Sequence, residues 1–278
     1  MIEDLARYGQ TFLTDVLRLC LWLVILTIIF VPLERLFALR PQKILRPGIG
    51  VDLGYFFLNG IVPAILMSLP LSALAWTIHR SIPHEFHAAV AAAPLWSRIL
   101  AGLIVGDIGY YWAHRCLHAV PVLWRFHAVH HSAPHIDFLV DTRAHPLDMT
   151  FGRLSGLVPL YALGLAGPAG AAGSAVPVVI QLVGIVWGFF IHANVRWRFG
   201  PLAWIVSTPH FHHWHHTNDA PLSRNYASLL PWLDRLFGTH HLPKGQYPSR
   251  YGIHDSIPAT LGEQLIQPFL GRRASPAE

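Results

Sequence analysis

The chain has 278 residues, 53% of them hydrophobic and only 13% charged, where an ordinary soluble domain carries about a quarter charged residues. Together with a mean hydropathy of +0.41, this excludes a water-soluble globular protein and predicts one membrane-embedded domain with a sizeable core. A net charge of +5 suits anionic lipid headgroups; the basic residues flank apolar segments without forming a separate patch, which argues against nucleic acid, and two cysteines cannot build a disulfide framework.

Leu17 to Phe37 is long enough to cross a roughly 30 Å apolar layer as a helix. Acidic Glu3, Asp4 and Asp15 precede it without a small-residue cleavage site, so it reads as a retained span and not a signal peptide. Val51 to Ile78, interrupted by Pro63 and Pro70, is a second span; Leu95 to Trp112 is a third and runs into the first histidine cluster. Met149 to Leu165 and Ala175 to Ile191 form a Gly- and Pro-punctuated pair predicted to turn near residues 167–173, and a polar tail follows Gly271. The predicted fold is an all-α integral membrane bundle of about four to five spans with a histidine-rich helical cap. It divides into N-terminal spans (1–95), a catalytic region (96–240) and a C-terminal tail (241–278). Arg35, Arg40, Lys43 and Arg46 lie between the first two spans, which puts that loop in the cytoplasm; alternation then brings every histidine cluster to the cytoplasmic face.

Thirteen of the nineteen histidines lie between His114 and His216. On a helix, positions i, i+3 and i+4 share a face. His114 and His118 have that spacing, as do His127, His130 and His131, and again His212, His215 and His216, leaving His213 about 100° away. Eight imidazoles exceed the four that a structural zinc site takes. The Glu-x-x-His motif of soluble di-iron bundles is absent, as are His-Glu-x-x-His and Gly-x-Ser-x-Gly. What remains is an all-histidine dimetal site at a membrane face. Asp107 lies in the third span seven residues before His114; an ionisable group there is a functional candidate, expected to accept an N–H from a ligand imidazole. Asp141 and Asp148 are weaker candidates of the same kind. His145, before Pro146, is placed near the site facing substrate or supporting a ligand, and Asn194 either orients a metal-bound water or caps a helix. His79, His84, His87, His240, His241 and His254 read as surface residues, and His135, His210 and His213 as non-ligands. Competing readings are a histidine-rich zinc transporter, whose midplane site usually mixes in carboxylates, and a haem carrier, which needs only two or four facing histidines.

The run Asp107-Ile-Gly-Tyr-Tyr-Trp-Ala-His114-Arg-Cys-Leu-His118, followed by Leu-Trp-Arg-Phe-His127-Ala-Val-His130-His131-Ser, resembles the fatty acid hydroxylase/sterol desaturase superfamily. So do Arg143-Ala-His145-Pro146-Leu-Asp148, His192-Ala-Asn194-Val, and Thr208-Pro209 leading into His212-x-x-His215-His216, so that the likeness covers roughly residues 100–240. The resemblance implies a membrane di-iron enzyme that uses O₂ to hydroxylate or desaturate a lipid carbon. It implies two iron ions, replaceable by zinc or another divalent ion during purification, on His114, His118, His127, His130, His131, His212, His215 and His216, with His192 as a further ligand. No segment resembles a fused cytochrome b5 domain, so electrons are expected from a separate electron-transfer protein.

Overall fold

The computed structural model describes residues 2–166 and 175–270; the predicted turn near 167–173 and the tail after Gly271 lie outside the described residues. Within them the chain is all-helical, with isolated bridges Ala38–Val195 and Thr217–Tyr251 and no strand.

Helix α1 covers Ile2–Leu36 and α2 covers Ile49–Ser81. Their apolar stretches, Gly9–Leu36 and Ile49–Ile78, have mean hydropathies of 2.6 and 1.9, and little of either is buried inside the protein. Leu17, Leu21, Val24 and Ile28 follow helical spacing and are each more than half exposed. An apolar stripe that the protein core does not cover, at span length, calls for a lipid solvent. Helix α7 (Ala175–His192) is the third helix long and apolar enough to cross.

Helices α3 (His84–Ala92) and α4 (Leu95–Ala119) bend by 113° at Ala93–Pro94 and together make at most one further span. Proline removes a donor and disfavours helix in the residue before it, which fixes the break. Helix α6 (Pro146–Ala162) has 17 residues, including Arg153, and at 1.5 Å per residue reaches about 26 Å, short of the apolar layer. Among the described residues, three helices are therefore long and apolar enough to cross, or four if the bent pair is one span, which meets the expected four to five at its lower end. Helices α4 and α6 approach closely through small residues: a Cβ on Gly109 would lie 2.1 Å from Ser155 O, and one on Gly156 3.4 Å from Gly106 O. Such stripes let backbones meet where the hydrophobic effect between helices is weak.

Two short helices complete the site: α5 (Pro121–His131), with proline in its first turn, and α8 (Pro209–His215), whose Thr208 Oγ1 accepts from Phe211 N. Both starts use residues suited to helix N-termini. Helices α9 (Trp232–Leu236) and α10 (Leu261–Ile266) follow. An aromatic core of Phe30, Phe56, Phe138 and Phe189 joins α1, α2 and α7 to a 3-10 helix at Phe138–Thr142. Polar groups of α2 and the preceding loop grip that segment. Asp52 pairs with Arg143 and Arg46, Arg46 also pairs with Asp137, and Asn59 Nδ2 donates to Thr142 O and Ala144 O. Two guanidinium groups against two carboxylates leave this buried cluster without net charge, which is what makes its burial tolerable.

Candidate metal centre

Four helices converge with their histidines at one end of the bundle. The C-terminal end of α4 brings His114 and His118, α5 brings His127, His130 and His131, α7 ends on His192, and α8 with its C-cap brings His212, His215 and His216. All nine are buried. Their ring nitrogens form two groups, each with one nitrogen per residue and all nitrogens within 4.8 Å of one another: His114, His118, His127, His131 and His215 in one, His130, His192, His212 and His216 in the other.

Each His-x-x-His-His motif is divided between the groups. Its i and i+4 residues go to one and its i+3 residue to the other, with opposite assignments in α5 and α8. Helical geometry explains the split. Residues i and i+4 are 40° apart around the axis, whereas i+3 lies 60° to the other side of i, so the motif forks across two adjacent positions.

The hydrogen bonds on the outer ring nitrogens fix the tautomers. The Nδ1 atoms of His114, His130, His192 and His215 donate to Tyr226 O, Arg143 O, Gly188 O and Arg224 O at 2.7–3.0 Å. His127 Nδ1 lies 3.0 Å from Asp148 Oδ2. A carbonyl can only accept, so each of these imidazoles keeps its proton on Nδ1 and leaves Nε2 a bare lone pair when neutral. Those lone pairs face one another, His114 Nε2 at 3.2 Å from His127 Nε2 and His130 Nε2 at 3.4 Å from His192 Nε2. His215 Nε2 is buried with no hydrogen-bond partner among the described residues. Two bare lone pairs at that distance repel unless a cation lies between them. A metal–nitrogen bond of roughly 2.1 Å at 90–109° puts neighbouring ligand nitrogens roughly 3.0–3.4 Å apart, which is the spacing found here. The residues therefore fit two metal ions.

Electrostatics agree. Burial, reinforced by neighbouring imidazoles, holds His131, His212, His215 and His216 well below the usual histidine range, and His130 is lowered to about 4. Neutral imidazole is the form that binds metal. Burial tends to raise Asp148, but His127 outweighs it and holds the carboxyl below its ordinary value. Burial raises Asp141 to about 7. Its Oδ1 lies 3.3 Å from His192 Nδ1, an approach that depends on Gly188, where a Cβ would sit 2.6 Å from that oxygen.

Of the sequence-derived supporting residues, Asp148 and Asp141 stand beside imidazoles, and Asp107 does not. The Asp107 carboxylate accepts from Leu229 N and Leu230 N at 3.0 and 2.7 Å. It braces the segment whose Tyr226 O receives His114, a grip shared by Asp234, which accepts from Tyr226 N and Ala227 N. His145 caps α6, its Nδ1 accepting from Leu147 N, with Nε2 donating to Leu265 O. Asn194 exchanges hydrogen bonds with the backbone of Arg40, which fixes the α1–α2 loop. His213 Nε2 faces Ala193 O and Tyr251 OH meets its Nδ1; His210 Nε2 faces Gln246 O. The backbone acceptors Tyr226, Arg143, Arg224 and Gly188 carry no sequence signal. Asp52 did carry one, as a charge beside an apolar span.

Residues 99–239 match the family model described as fatty acid hydroxylase. An ornithine lipid hydroxylase of Rhizobium tropici is 35% identical over 210 residues, 75% of this chain and 61% of that protein. An alkylglycerol monooxygenase of Danio rerio is 35% identical over 145 residues, 52% of this chain and 30% of the relative. A very-long-chain aldehyde decarbonylase of Oryza sativa subsp. indica is 31% identical over 161 residues, 52% of this chain and 25% of the relative. The chain thus spans less than two thirds of the length of each of these relatives. No solved structure matches it.

Proposed function

Because the chain belongs to the fatty acid hydroxylase family, we propose that it is a membrane-bound dimetal oxygenase that hydroxylates one carbon of a membrane lipid. The balanced reaction is R–H + O₂ + 2 e⁻ + 2 H⁺ → R–OH + H₂O, with electrons from a separate carrier protein. The observation that carries this reading is the pair of facing nitrogen groups, five and four, with bare lone pairs at metal-ligand spacing. Relatives named for hydroxylating ornithine lipid and oxygenating alkylglycerol support the lipid substrate.

The nine histidines are the proposed ligands, and two iron ions bound there would supply the redox chemistry that activates O₂. The chain's own contribution is positional. Carbonyls of Tyr226, Arg143, Gly188 and Arg224 and the carboxylate of Asp148 hold five of these imidazoles, His114, His130, His192, His215 and His127, in the tautomer that turns Nε2 inward. Burial of all nine keeps the centre dry. The histidine end of the bundle is assigned to the cytoplasmic face on the basic α1–α2 loop.

The test is metal analysis joined to isotope labelling. Iron-loaded, reduced protein should hold about two metal ions per chain and transfer ¹⁸O from labelled O₂ into a lipid product. A single bound metal, or label arriving from water, would overturn the proposal. Desaturation is separated from hydroxylation by the same experiment, because its product carries no label.

A further inference from the structure

Two adjoining cavities lie at the α1–α2 loop, outside the histidine centre. Each has a volume of about 340 Å³, and Pro41, Gln42, Lys43 and Asn194 line both. One wall of the second comes from Leu23, Thr27 and Val31 of α1. These sit four residues apart, so they form a single stripe, and Arg35 continues it one turn further on. From Leu23 to Arg35 the stripe runs roughly 18 Å along the helix. The opposite wall includes Ile49, Leu53 and Leu139. The far end is cationic, with Arg35 and Lys43 in the second cavity and Arg40 and Lys43 in the first.

The carboxylates nearby are already engaged. Glu34 accepts from Phe138 N and Asn194 N, and Asp137 takes the Arg46 guanidinium. By contrast, Arg35, Arg40 and Lys43 have no carboxylate partner among the described residues; Arg35 and Arg40 donate to the carbonyls of Gln42 and Pro248. Arg35 and Lys43 are exposed. Depth matters too. The loop joins the ends of two spans, Gly9–Leu36 and Ile49–Ile78, so the cations sit where both helices leave the apolar layer.

We propose that this cleft binds an anionic membrane lipid, with an acyl chain along the α1 stripe and a phosphate headgroup on Arg35 and Lys43. A small anion without a tail would leave the stripe uncovered, and an uncharged lipid would leave the cations without a counter-ion. The proposal is independent of the metal chemistry, since none of the nine histidines lines either cavity.

The test uses the full chain in maltoside micelles, with native mass spectrometry of retained dioleoylphosphatidylglycerol against dioleoylphosphatidylcholine. Cations near an anionic headgroup contribute roughly fivefold each, so the preference for phosphatidylglycerol should be on the order of twenty-five-fold. Lys43→Gln alone, a change at an exposed side chain, should cut it about fivefold, and Arg35→Gln with Lys43→Glu should abolish it. Val31→Trp, which fills the stripe, should weaken retention of both lipids. Metal content and elution volume matching the unmodified protein confirm that each variant is folded. An unchanged preference in Lys43→Gln would overturn the proposal. So would displacement of the lipid by inorganic phosphate at equal concentration, which would mark a site for free anions.

Discussion

Asp148→Asn is the sharpest probe of the proposed centre, because it removes a charge and almost no volume. In the native protein the buried carboxylate stands 3.0 Å from His127 Nδ1 and is held below its ordinary pKa by that imidazole. A charge-assisted hydrogen bond contributes about 1.5–3 kcal/mol and a neutral one about 1 kcal/mol. The substitution therefore costs roughly 0.5–2 kcal/mol at the ligand, or about 2- to 30-fold in affinity, overlapping the lower part of the 10–100-fold typical of groups that orient metal ligands. The effect should be local. His127 belongs to the five-nitrogen group, whereas His130 and His192 of the other group rest on Arg143 O and Gly188 O. Dialysis against graded chelator, followed by metal counting, should show stoichiometry falling from two to about one at concentrations that leave the unmodified protein full. Turnover should fall in step, with the helical circular dichroism unchanged. Equal retention of both ions by the variant, or loss of both together, would refute the reasoning.

Four further outcomes follow from the same geometry. Replacing any one of the nine histidines by Ala should abolish turnover, whereas exposed His254→Ala should stay within about twofold, both read from product formation. Gly188→Ala pushes a methyl to 2.6 Å from Asp141 Oδ1 and should lower occupancy of the four-nitrogen group, measured by the same chelator titration. Asp107→Ala orphans two backbone N–H groups that it now satisfies, at about 1–3 kcal/mol each, so its first effect should be a lower melting temperature; full stability with reduced activity would count against the bracing role. The metal-free protein should lose stability as the pH falls from about 6.5 towards 4. His130 is lowered to about 4 when folded, so between these values the unfolded chain binds the extra proton, and this group alone removes about 3 kcal/mol. Acid titration of the melting temperature in the presence of chelator would show it.

How much was legible in the sequence follows the range of the physics involved. Spans are a local matter of apolar length, so α1, α2 and α7 were visible, and the histidine register followed from 100° per residue along one helix. Family membership rested on the same local strings. Register could not say which lone pairs meet. The forking of His127, His130 and His131 between two groups, with the reverse fork at His212, His215 and His216, depends on how α4, α5, α7 and α8 cross. Asp107 shares a helical face with His114, yet its carboxylate turns to Leu229 and Leu230, because the 226–230 segment brings unsatisfied N–H groups there. Asp148 reaches His127 only through the packing of α6 beside α5, and the carbonyls that fix four of the tautomers belong to the backbone and have no residue type at all. A side chain's direction around its own helix is set by the chain, whereas its partner is set by which distant segment lacks a hydrogen bond at that point, and only the tertiary structure decides that.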